Sequence, residues 1–216
     1  MKTFWIIGGG RFGLRAAKSL GRMNAVSRIV IVEKRPEVCE QLTKHAFENI
    51  CMEGVRYLEL NLTRQDCPDW IIPAIPSHVA YEWIKTKLSK KYNLEPIPIP
   101  QQLRSELPNP ITANSEQVYI SNADFVCPDD CPEPEDICTY TGEPRPSELY
   151  SLLASIQHGR FRSVVVRSQQ LLPGVGGYEP GALFKAMAKI ELLRSPVLLS
   201  TACRCHGVMN AFRIRS

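Results

Sequence analysis

Short apolar runs alternate with stretches of helical periodicity along most of the chain. Residues 3–7 and 29–32 are apolar runs that predict two buried strands, and residues 11–23 between them place apolar side chains at helical spacing. Strands that alternate with helices are typical of a mostly parallel sheet that carries helices on both faces. The hydrophobic pattern therefore predicts a doubly wound α/β fold.

The alternation continues to about residue 91 and resumes at residue 147. We expect the C-terminal strands to complete the same sheet, with the run at 197–201 as its last strand. The further predicted strands are residues 55–60, 70–75, 163–166 and 197–201, and the further predicted helices are residues 36–46, 80–88, 147–156 and 180–190.

Residues 92–146 break this pattern. Ten of the 17 prolines lie here, helical periodicity is absent, and residues 118–126 contain at most a short strand. A stretch with so little regular structure does not readily hold its own shape. We therefore expect an irregular insert that packs on the main domain.

Three glycines stand where the first predicted strand meets the first predicted helix, as Gly8-x-Gly10-x-x-Gly13. In this spacing the first glycine allows a tight turn, the second lets a pyrophosphate approach the backbone, and the third lets the helix pack on the strand. Glu33 ends the second predicted strand about 20 residues later, where a carboxylate binds ribose hydroxyls. The pattern predicts a Rossmann-like site for NAD(H). Its predicted cofactor-binding residues are Gly8, Gly10, Arg11, Phe12, Gly13 and Glu33.

The charge at the end of the second strand bears on the choice of cofactor. The carboxylate of Glu33 should repel a 2′-phosphate, which favours NAD over NADP, although Lys34 and Arg35 could reach such a phosphate. With this site assigned, we expect three parts. Residues 1–91 are an N-terminal dinucleotide-binding Rossmann part, residues 92–146 are a Pro/Cys-rich insert, and residues 147–216 are a C-terminal α/β part that completes the sheet.

Cysteines are concentrated in the insert and near the C-terminus. Cys127, Cys131 and Cys138 fall within twelve residues, and Cys203, Cys205 and His206 follow the last predicted strand. Soft thiolates suit zinc or an iron–sulfur cluster and do not suit Mg²⁺ or Ca²⁺. The spacing matches no common zinc-finger or ferredoxin pattern, so free thiols are the alternative. The predicted metal ligands are Cys127, Cys131, Cys138 and Cys205, with Cys203 or His206 as the alternative fourth ligand.

The sequence identifies no catalytic residue with a convincing context. His78 opens the helix that follows the fourth predicted strand, at the mouth of the expected site, and is a candidate acid/base. Cys205 and His206 are further candidates, as redox thiol and acid/base. A second glycine-rich stretch, residues 173–177, could bind a phosphate, but its spacing fits neither a dinucleotide fingerprint nor a P-loop, so we interpret it as a flexible turn.

Composition limits the class of protein. The 216 residues have a net charge of +4, which is too mild to argue for a nucleic-acid partner. No apolar run reaches membrane-spanning length, and glycines interrupt the N-terminal run before a signal-peptide core forms. We therefore expect a cytoplasmic protein that is not membrane-embedded and whose eight cysteines are thiols or ligands. Arg204, Arg213 and Arg215 are interpreted as part of a solvated tail.

The segment from Ile6 to Gly13, followed by Ile31-Val-Glu33-Lys34, resembles the TrkA-type nucleotide-binding domains of potassium-transport regulators. The resemblance covers about the first sixty residues and does not extend to the Pro/Cys-rich insert. It implies NAD or NADH binding, with Gly8, Gly10 and Gly13 at the pyrophosphate and Glu33 at the adenosine ribose. The triple-glycine opening also looks like that of siroheme-synthesis dehydrogenases, which use NAD.

These observations lead to two hypotheses for function. In the first, an NAD(H)-binding Rossmann protein carries a cysteine-ligated metal or iron–sulfur site and serves redox or electron-transfer chemistry, as an NAD-dependent oxidoreductase or with a redox partner. In the second, the protein is a non-catalytic NAD(H)-sensing regulatory subunit of a potassium transporter or another partner. Oligomers are compatible with both hypotheses.

Overall fold

The computed structural model describes residues 2–215. The strands are β1 (Lys2–Ile7), β2 (Val26–Glu33), β3 (Glu48–Cys51), β4 (Trp70–Pro73), β5 (Asn93–Pro96), β6 (Ile111–Thr112), β7 (Gln117–Ser121), β8 (Arg162–Arg167), β9 (Gln169–Leu172), β10 (Val175–Gly177), β11 (Val197–Ala202) and β12 (His206–Arg215). The helices are α1 (Arg11–Leu20), α2 (Pro36–Leu42), α3 (Gly54–Asn61), α4 (Val79–Leu88), α5 (Gln101–Glu106), α6 (Leu149–Ala154) and α7 (Pro180–Leu192). None of the helices in this stretch has the length and apolar character needed to cross a bilayer.

The N-terminal half forms a four-stranded sheet in the order β3-β2-β1-β4, and every neighbouring pair is parallel. Side chains of β1 alternate between two cores, as the two-residue period of a strand requires. Phe4 and Ile6 share one core with residues of α1 and α2, whereas Trp5 and Ile7 share the other with residues of α3 and α4. The expected α/β fold, with helices on both faces of a parallel sheet, is confirmed.

One predicted strand of this half is a helix. Residues 55–60 lie in α3, and the strand that pairs with β2 is β3, a few residues earlier. The side chain of Glu53 caps α3 by accepting hydrogen bonds from the backbone N–H groups of Val55 and Arg56, at 3.1 and 2.7 Å. Tyr57 and Leu58 are buried on one side of the helix. The cap and this one-sided burial favour the helix over the strand.

The strands after residue 92 form a second sheet and do not complete the first, so that expectation is wrong. The order is β6-β7-β12-β11-β8, and β5 pairs with the far end of β12. Only β11 and β8 are parallel among the paired strands of this described sheet. These strands form a sheet of their own because the long strand β12 pairs with β11 on one edge and with β7 and β5 on the other. One core of this sheet is its own, and another is shared with the first sheet, since Val164, Val197 and Phe212 pack in the same core as Trp5 and Ile7.

Two of the three residues interpreted as a solvated tail are part of this sheet, and the third, Arg204, lies in the turn before β12 and pairs with Glu135 and Glu148. Arg213 and Arg215 lie in β12, and both guanidinium groups pair with the carboxylate of Glu95 on β5, at 3.2 and 2.5 Å. Ion pairs therefore join β5 and β12 in addition to their backbone hydrogen bonds. The strand predicted at 197–201 is correct, but it is not the last one.

The insert is more regular than its proline content indicates. It supplies β5, β6, β7 and α5, and Leu103 of α5 packs in a core that also holds Val118 of β7 and Met209 of β12. The irregular part is shorter, at residues 122–148, where an isolated bridge joins Ile137 and Pro144. This irregular part holds Cys127, Cys131 and Cys138.

A hairpin of β9 and β10 joins the two halves of the molecule. Its turn contains Gly174, whose φ of +69° lies in the region that glycine adopts without strain. Tyr178, directly after β10, exchanges two backbone hydrogen bonds with Ile71 of β4, at 2.9 and 3.0 Å. The second glycine-rich stretch therefore forms a hairpin that lies against the edge of the first sheet.

The cap of α3 provides a test of the corrected assignment. We expect Glu53→Ala to lower the free energy of unfolding by about 1 kcal/mol, because two backbone N–H groups lose their acceptor. Urea denaturation followed by circular dichroism measures this change. Glu106→Ala, at an exposed glutamate of α5, is the control and should change stability by less than about 0.5 kcal/mol. Equal effects of the two substitutions would contradict the capping role.

Candidate functional site

The glycine turn between β1 and α1 has a shape that only glycine permits. Gly8 has a φ of +112°, and a Cβ there would lie 2.6 Å from the carbonyl oxygen of Ala74. A Cβ at Gly13 would lie 1.8 Å from the carbonyl oxygen of Gly8. Helix α1 can therefore pack directly against the turn, as the glycine spacing predicts.

The start of α1 is suited to an anion. Its N-cap is Gly10, and no side chain caps the helix. The backbone N–H groups of the first helical turn are thus available, and they lie at the positive end of the helix dipole. Arg11 adds an exposed positive charge at the same place. These features fit a pyrophosphate.

Glu33 ends β2 and is only 5% exposed. Its carboxylate accepts a hydrogen bond from the backbone N–H of Gly9 at 2.9 Å, and bonds from the Arg35 guanidinium at 3.0 and 3.1 Å. The backbone N–H groups of Lys34 and Arg35 also donate to it, each at 3.0 Å. Burial raises the pKa of Glu33, but these hydrogen bonds outweigh it and lower the pKa to about 2. Glu33 is therefore ionised at neutral pH.

A cleft of about 580 Å³ connects the glycine turn with Glu33. Its walls include Arg35 and Glu53, neither of which the glycine pattern identifies, and Ser77 in the loop between β4 and α4. Arg35 lies over the turn, because a Cβ on Gly10 would be 3.3 Å from its Nη2. The nearness of Arg35 to Glu33 in sequence was the one available signal for this contact.

A second pocket, of about 410 Å³, is lined by the cysteines of both predicted groups. The irregular part of the insert and the turn between β11 and β12 meet there. The lining side chains that were predicted as ligands are Cys127, Cys131, Cys138, Cys203, Cys205 and His206. The structure thus brings together residues that lie about 70 positions apart in the chain.

Several N–H groups point at the sulfur atoms of this pocket. Sγ of Cys131 accepts from the backbone N–H of Glu133 at 3.4 Å, and Sγ of Cys205 accepts from Nε of Arg145 at 2.9 Å. Sγ of Cys127 lies 3.5 Å from Nε2 of His206. No sequence pattern signalled the contact of Arg145, which comes from the far end of the insert.

The thiols of the pocket differ in their tendency to ionise. Burial raises the pKa of Cys127 and of Cys205, and raises the pKa of Cys203 to about 12. The pKa of Cys138 is lowered, first because backbone N–H groups of Thr141 and Tyr140 hydrogen-bond to its sulfur. Within residues 2–215, no three His, Cys, Asp or Glu side chains are grouped closely enough to hold a metal ion.

The two pockets are neighbours. Asp129, between the first two cysteines of the insert, forms an ion pair with Arg11 and lies 3.6 Å from Arg15, both on α1. The carbonyl oxygen of Cys131 accepts hydrogen bonds from the Gly174 backbone N–H at 3.0 Å and from the Gln170 side chain at 2.6 Å. The cysteine segment is therefore held between the glycine-turn helix and the β9–β10 hairpin.

His78 has an environment that favours a structural role. Its ring is buried, and its two nitrogens lie 2.7 Å from Oδ1 of Asn210 and 2.9 Å from Oγ1 of Thr201. Burial lowers the pKa of His78 to about 4. The ring thus connects α4 to the second sheet as a neutral imidazole. The other histidine candidate, His206, lies in the cysteine pocket, where burial also lowers its pKa.

Comparison with protein families gives two matches that overlap in the middle of the chain. Residues 4–99 match the TrkA-N domain. Residues 80–215 match a family described as "Uncharacterized protein, C-terminal domain". An "Uncharacterized protein" of Archaeoglobus fulgidus is 30% identical over 220 residues, which cover 96% of this chain and 98% of that protein. No solved structure matches the chain.

The parallel sheet, the glycine turn and the first match define the N-terminal half as a Rossmann-like TrkA-N domain, which implies NAD(H) binding. The predicted resemblance to TrkA-type domains is thereby confirmed for this half. The chain as a whole belongs to the family defined by the C-terminal domain.

The charge of Glu33 gives a prediction about stability and pH. Its pKa is depressed from an ordinary 4.5 to about 2, so the folded state gains stability from the ionised carboxylate above pH 4.5 and loses it as the pH falls toward 2. We expect Glu33→Gln to be less stable than the wild type by roughly 2 kcal/mol at pH 7. This difference should shrink between pH 4.5 and pH 3, as urea denaturation at several pH values can measure. A difference that stays constant with pH would contradict it, and Glu37→Gln serves as the control.

Proposed function

We propose that NAD(H) binds in the cleft between the glycine turn and Glu33. The pyrophosphate lies at the start of α1, and the adenosine ribose lies at the end of β2. The observation that carries this proposal is the position of Glu33, which is ionised and hydrogen-bonded to Gly9 directly beside an uncapped helix. Ribose hydroxyls are donors that such a carboxylate accepts, and free backbone N–H groups are donors that a phosphate accepts.

Arg35 sets a condition on this binding mode. Its guanidinium uses both carboxylate oxygens of Glu33, so a ribose diol must take over part of that contact. A freed Arg35 would then lie close to the ribose edge. The negative charge of Glu33 nevertheless opposes a 2′-phosphate, and NAD is therefore the proposed cofactor in preference to NADP.

We further propose that the bound dinucleotide serves redox or electron-transfer chemistry together with a cysteine-ligated metal, either zinc or an iron–sulfur centre. Support comes from the cysteine pocket, whose segment pairs with Arg11 of α1 through Asp129. Thiols that stay reduced fit a cytoplasmic location. A redox protein partner would supply or accept the electrons.

The alternative is a non-catalytic sensor that binds NAD(H) and regulates a transporter or another partner. The match of residues 4–99 to the TrkA-N domain supports this alternative, because domains of the TrkA type belong to regulators of potassium transport. The second sheet would then serve as the partner-binding part.

Calorimetry tests the binding proposal. We expect the wild type to bind NAD⁺ and NADH, and to bind NADP⁺ about tenfold more weakly, because Glu33 repels the 2′-phosphate. Glu33→Ala should weaken NAD⁺ binding by about tenfold or more, as expected for a lost hydrogen bond to a charged group. The control is Glu37→Ala, on the exposed first turn of α2. Equal affinity for NAD⁺ and NADP⁺ would defeat the preference, and no binding of either would defeat the proposal.

An electron-acceptor assay separates the two functions. Anaerobically purified protein should transfer the two electrons of NADH to two ferricyanide ions, yielding NAD⁺, a proton and two ferrocyanide ions. Cys205→Ser should slow this oxidation at least about tenfold while NADH affinity stays the same, because the pocket and the cleft are separate. Tight NADH binding without oxidation would favour the sensor.

A further inference from the structure

Two cysteines of the N-terminal half lie outside the cysteine pocket and next to the Glu33 end of the cleft. Cys39 lies on α2 and is 6% exposed, whereas Cys51 ends β3 and is exposed. Sγ of Cys39 donates a hydrogen bond to the carbonyl oxygen of Glu33 at 3.1 Å. Cys51 is the partner of Glu33 in the ladder between β2 and β3. Both thiols are therefore grouped around one backbone position.

The side chain of Cys51 lies on the face of the first sheet that carries α2. Ile50 and Met52, on either side of Cys51, pack in the core that holds α3 and α4. Successive side chains of a strand point to opposite faces, so Cys51 and Asn49 point to the face where α2 packs. Asn49 shows the contact directly, because its Nδ2 donates to the carbonyl oxygen of Cys39 at 2.7 Å. Cys51, two residues farther along that face, is therefore within reach of Cys39.

The two thiols differ in their reactivity toward an oxidant. Burial, and then a hydrogen bond with the Cys51 thiol, raise the pKa of Cys39 to about 11. A buried thiol with a raised pKa is a poor nucleophile, whereas an exposed thiol is open to a dissolved oxidant. Cys51 is therefore the thiol that reacts first, and Cys39 is the neighbour that completes a disulfide.

We propose that Cys39 and Cys51 are a redox pair that a peroxide converts into a disulfide, and that this disulfide weakens dinucleotide binding at Glu33. The pair itself does not depend on NAD(H), whereas its effect on binding rests on the proposed function of the cleft. A reversible disulfide of this kind fits a reducing compartment, where disulfides serve mainly as transient redox sensors.

The reaction uses one peroxide molecule for the two thiols. The Cys51 thiolate attacks one oxygen of hydrogen peroxide, the O–O bond breaks and hydroxide leaves, which gives a sulfenic acid. The Cys39 sulfur then attacks the Cys51 sulfur, and the S–O bond breaks as the S–S bond forms. The peroxide and the two thiol protons leave as two water molecules. A thiol reductant reverses the reaction.

The disulfide changes the support of Glu33. The oxidised Cys39 sulfur has no proton to donate, so the carbonyl oxygen of Glu33 loses that hydrogen bond and keeps the one from the backbone N–H of Met52, at 2.9 Å. The bond also ties α2 to β3. Helix α2 touches the glycine turn as well, since a Cβ on Gly9 would lie 2.5 Å from Cδ1 of Leu42. A change in α2 therefore reaches both the ribose end of the cleft and the turn.

Peptide mapping of the full-length chain tests the redox pair. Reduced protein is treated with hydrogen peroxide and digested with trypsin without reductant, and trypsin cleaves after Lys44, between the two cysteines. We expect residues 35–44 and 45–56 to appear as one joined peptide, lighter than their sum by two hydrogen atoms, and to separate when dithiothreitol is added. The absence of the joined peptide, or a Cys51 joined mainly to another cysteine, would overturn the pair.

Single substitutions separate the two steps. Cys51→Ser should leave Cys39 unoxidised, because Cys39 is buried. Cys39→Ala should instead accumulate the sulfenic acid of Cys51, which dimedone labels. Cys67→Ser, at another exposed cysteine, is the control and should form the joined peptide as the wild type does. Circular dichroism checks the fold of each variant. Equal dimedone labelling of Cys51 in the wild type and in Cys39→Ala would contradict the role of Cys39.

Calorimetry with NAD⁺ tests the effect on binding. The oxidised wild type should bind NAD⁺ at least about threefold more weakly than the reduced protein, the size expected for one lost hydrogen bond. Cys51→Ser should bind NAD⁺ equally before and after peroxide, and equal weakening in both proteins would overturn the regulatory effect. A joined peptide with unchanged affinity would overturn it too. A joined peptide in a protein that binds no NAD⁺ even when reduced would defeat the dinucleotide proposal and leave the redox pair supported.

Discussion

The close approach of α1 to the end of β1 is the constraint on which the rest of the structure depends. A side chain at Gly13 would overlap the carbonyl group of Gly8, so the helix can reach the turn only through glycine. That approach fixes the first core, in which Ala16, Ala17 and Leu20 pack against β1 and β2. It also leaves the helix start uncapped beside Glu33. The packing of α1 and its uncapped start are therefore consequences of one steric requirement.

The two halves of the molecule share a hydrophobic core, and they also meet at one edge of the first sheet. Tyr178, directly after the β9–β10 hairpin, pairs with Ile71 of β4. Gln170 of the same hairpin donates a hydrogen bond to the carbonyl oxygen of Cys131. The edge strand of a sheet otherwise presents unpaired backbone groups, and the hairpin satisfies some of them. The same contact that closes the sheet therefore positions the cysteine segment.

The N-terminal half could be predicted from the sequence because its signals are local. Each of these signals is contained in a few neighbouring residues: the apolar runs, the glycine spacing and the carboxylate at Glu33. The strand predicted at residues 55–60 failed because a short apolar run has no period of its own, and the Glu53 cap decided the outcome. The second sheet could not be predicted, since the pairings of β12 with β5 and β7 join residues about 90 to 120 positions apart.

The candidate sites show the same division. The residues of the glycine turn were identified by spacing, whereas the partners of the site residues were not. Arg145 on Cys205 and Asp129 on Arg11 are contacts between side chains that lie far apart in the sequence and share no pattern. Such contacts depend on tertiary packing, and the sequence alone gives no register for them.

Arg11 belongs to both parts of the molecule at once. It stands at the start of α1, where a pyrophosphate would bring negative charge, and it already pairs with Asp129 of the cysteine segment. One guanidinium cannot serve two anions at full strength, so a pyrophosphate at the start of α1 would compete with Asp129 for the same cation. Thermodynamic linkage makes this competition reciprocal: whatever factor a bound anion imposes on the order of the cysteine segment, that order imposes on the affinity for the anion.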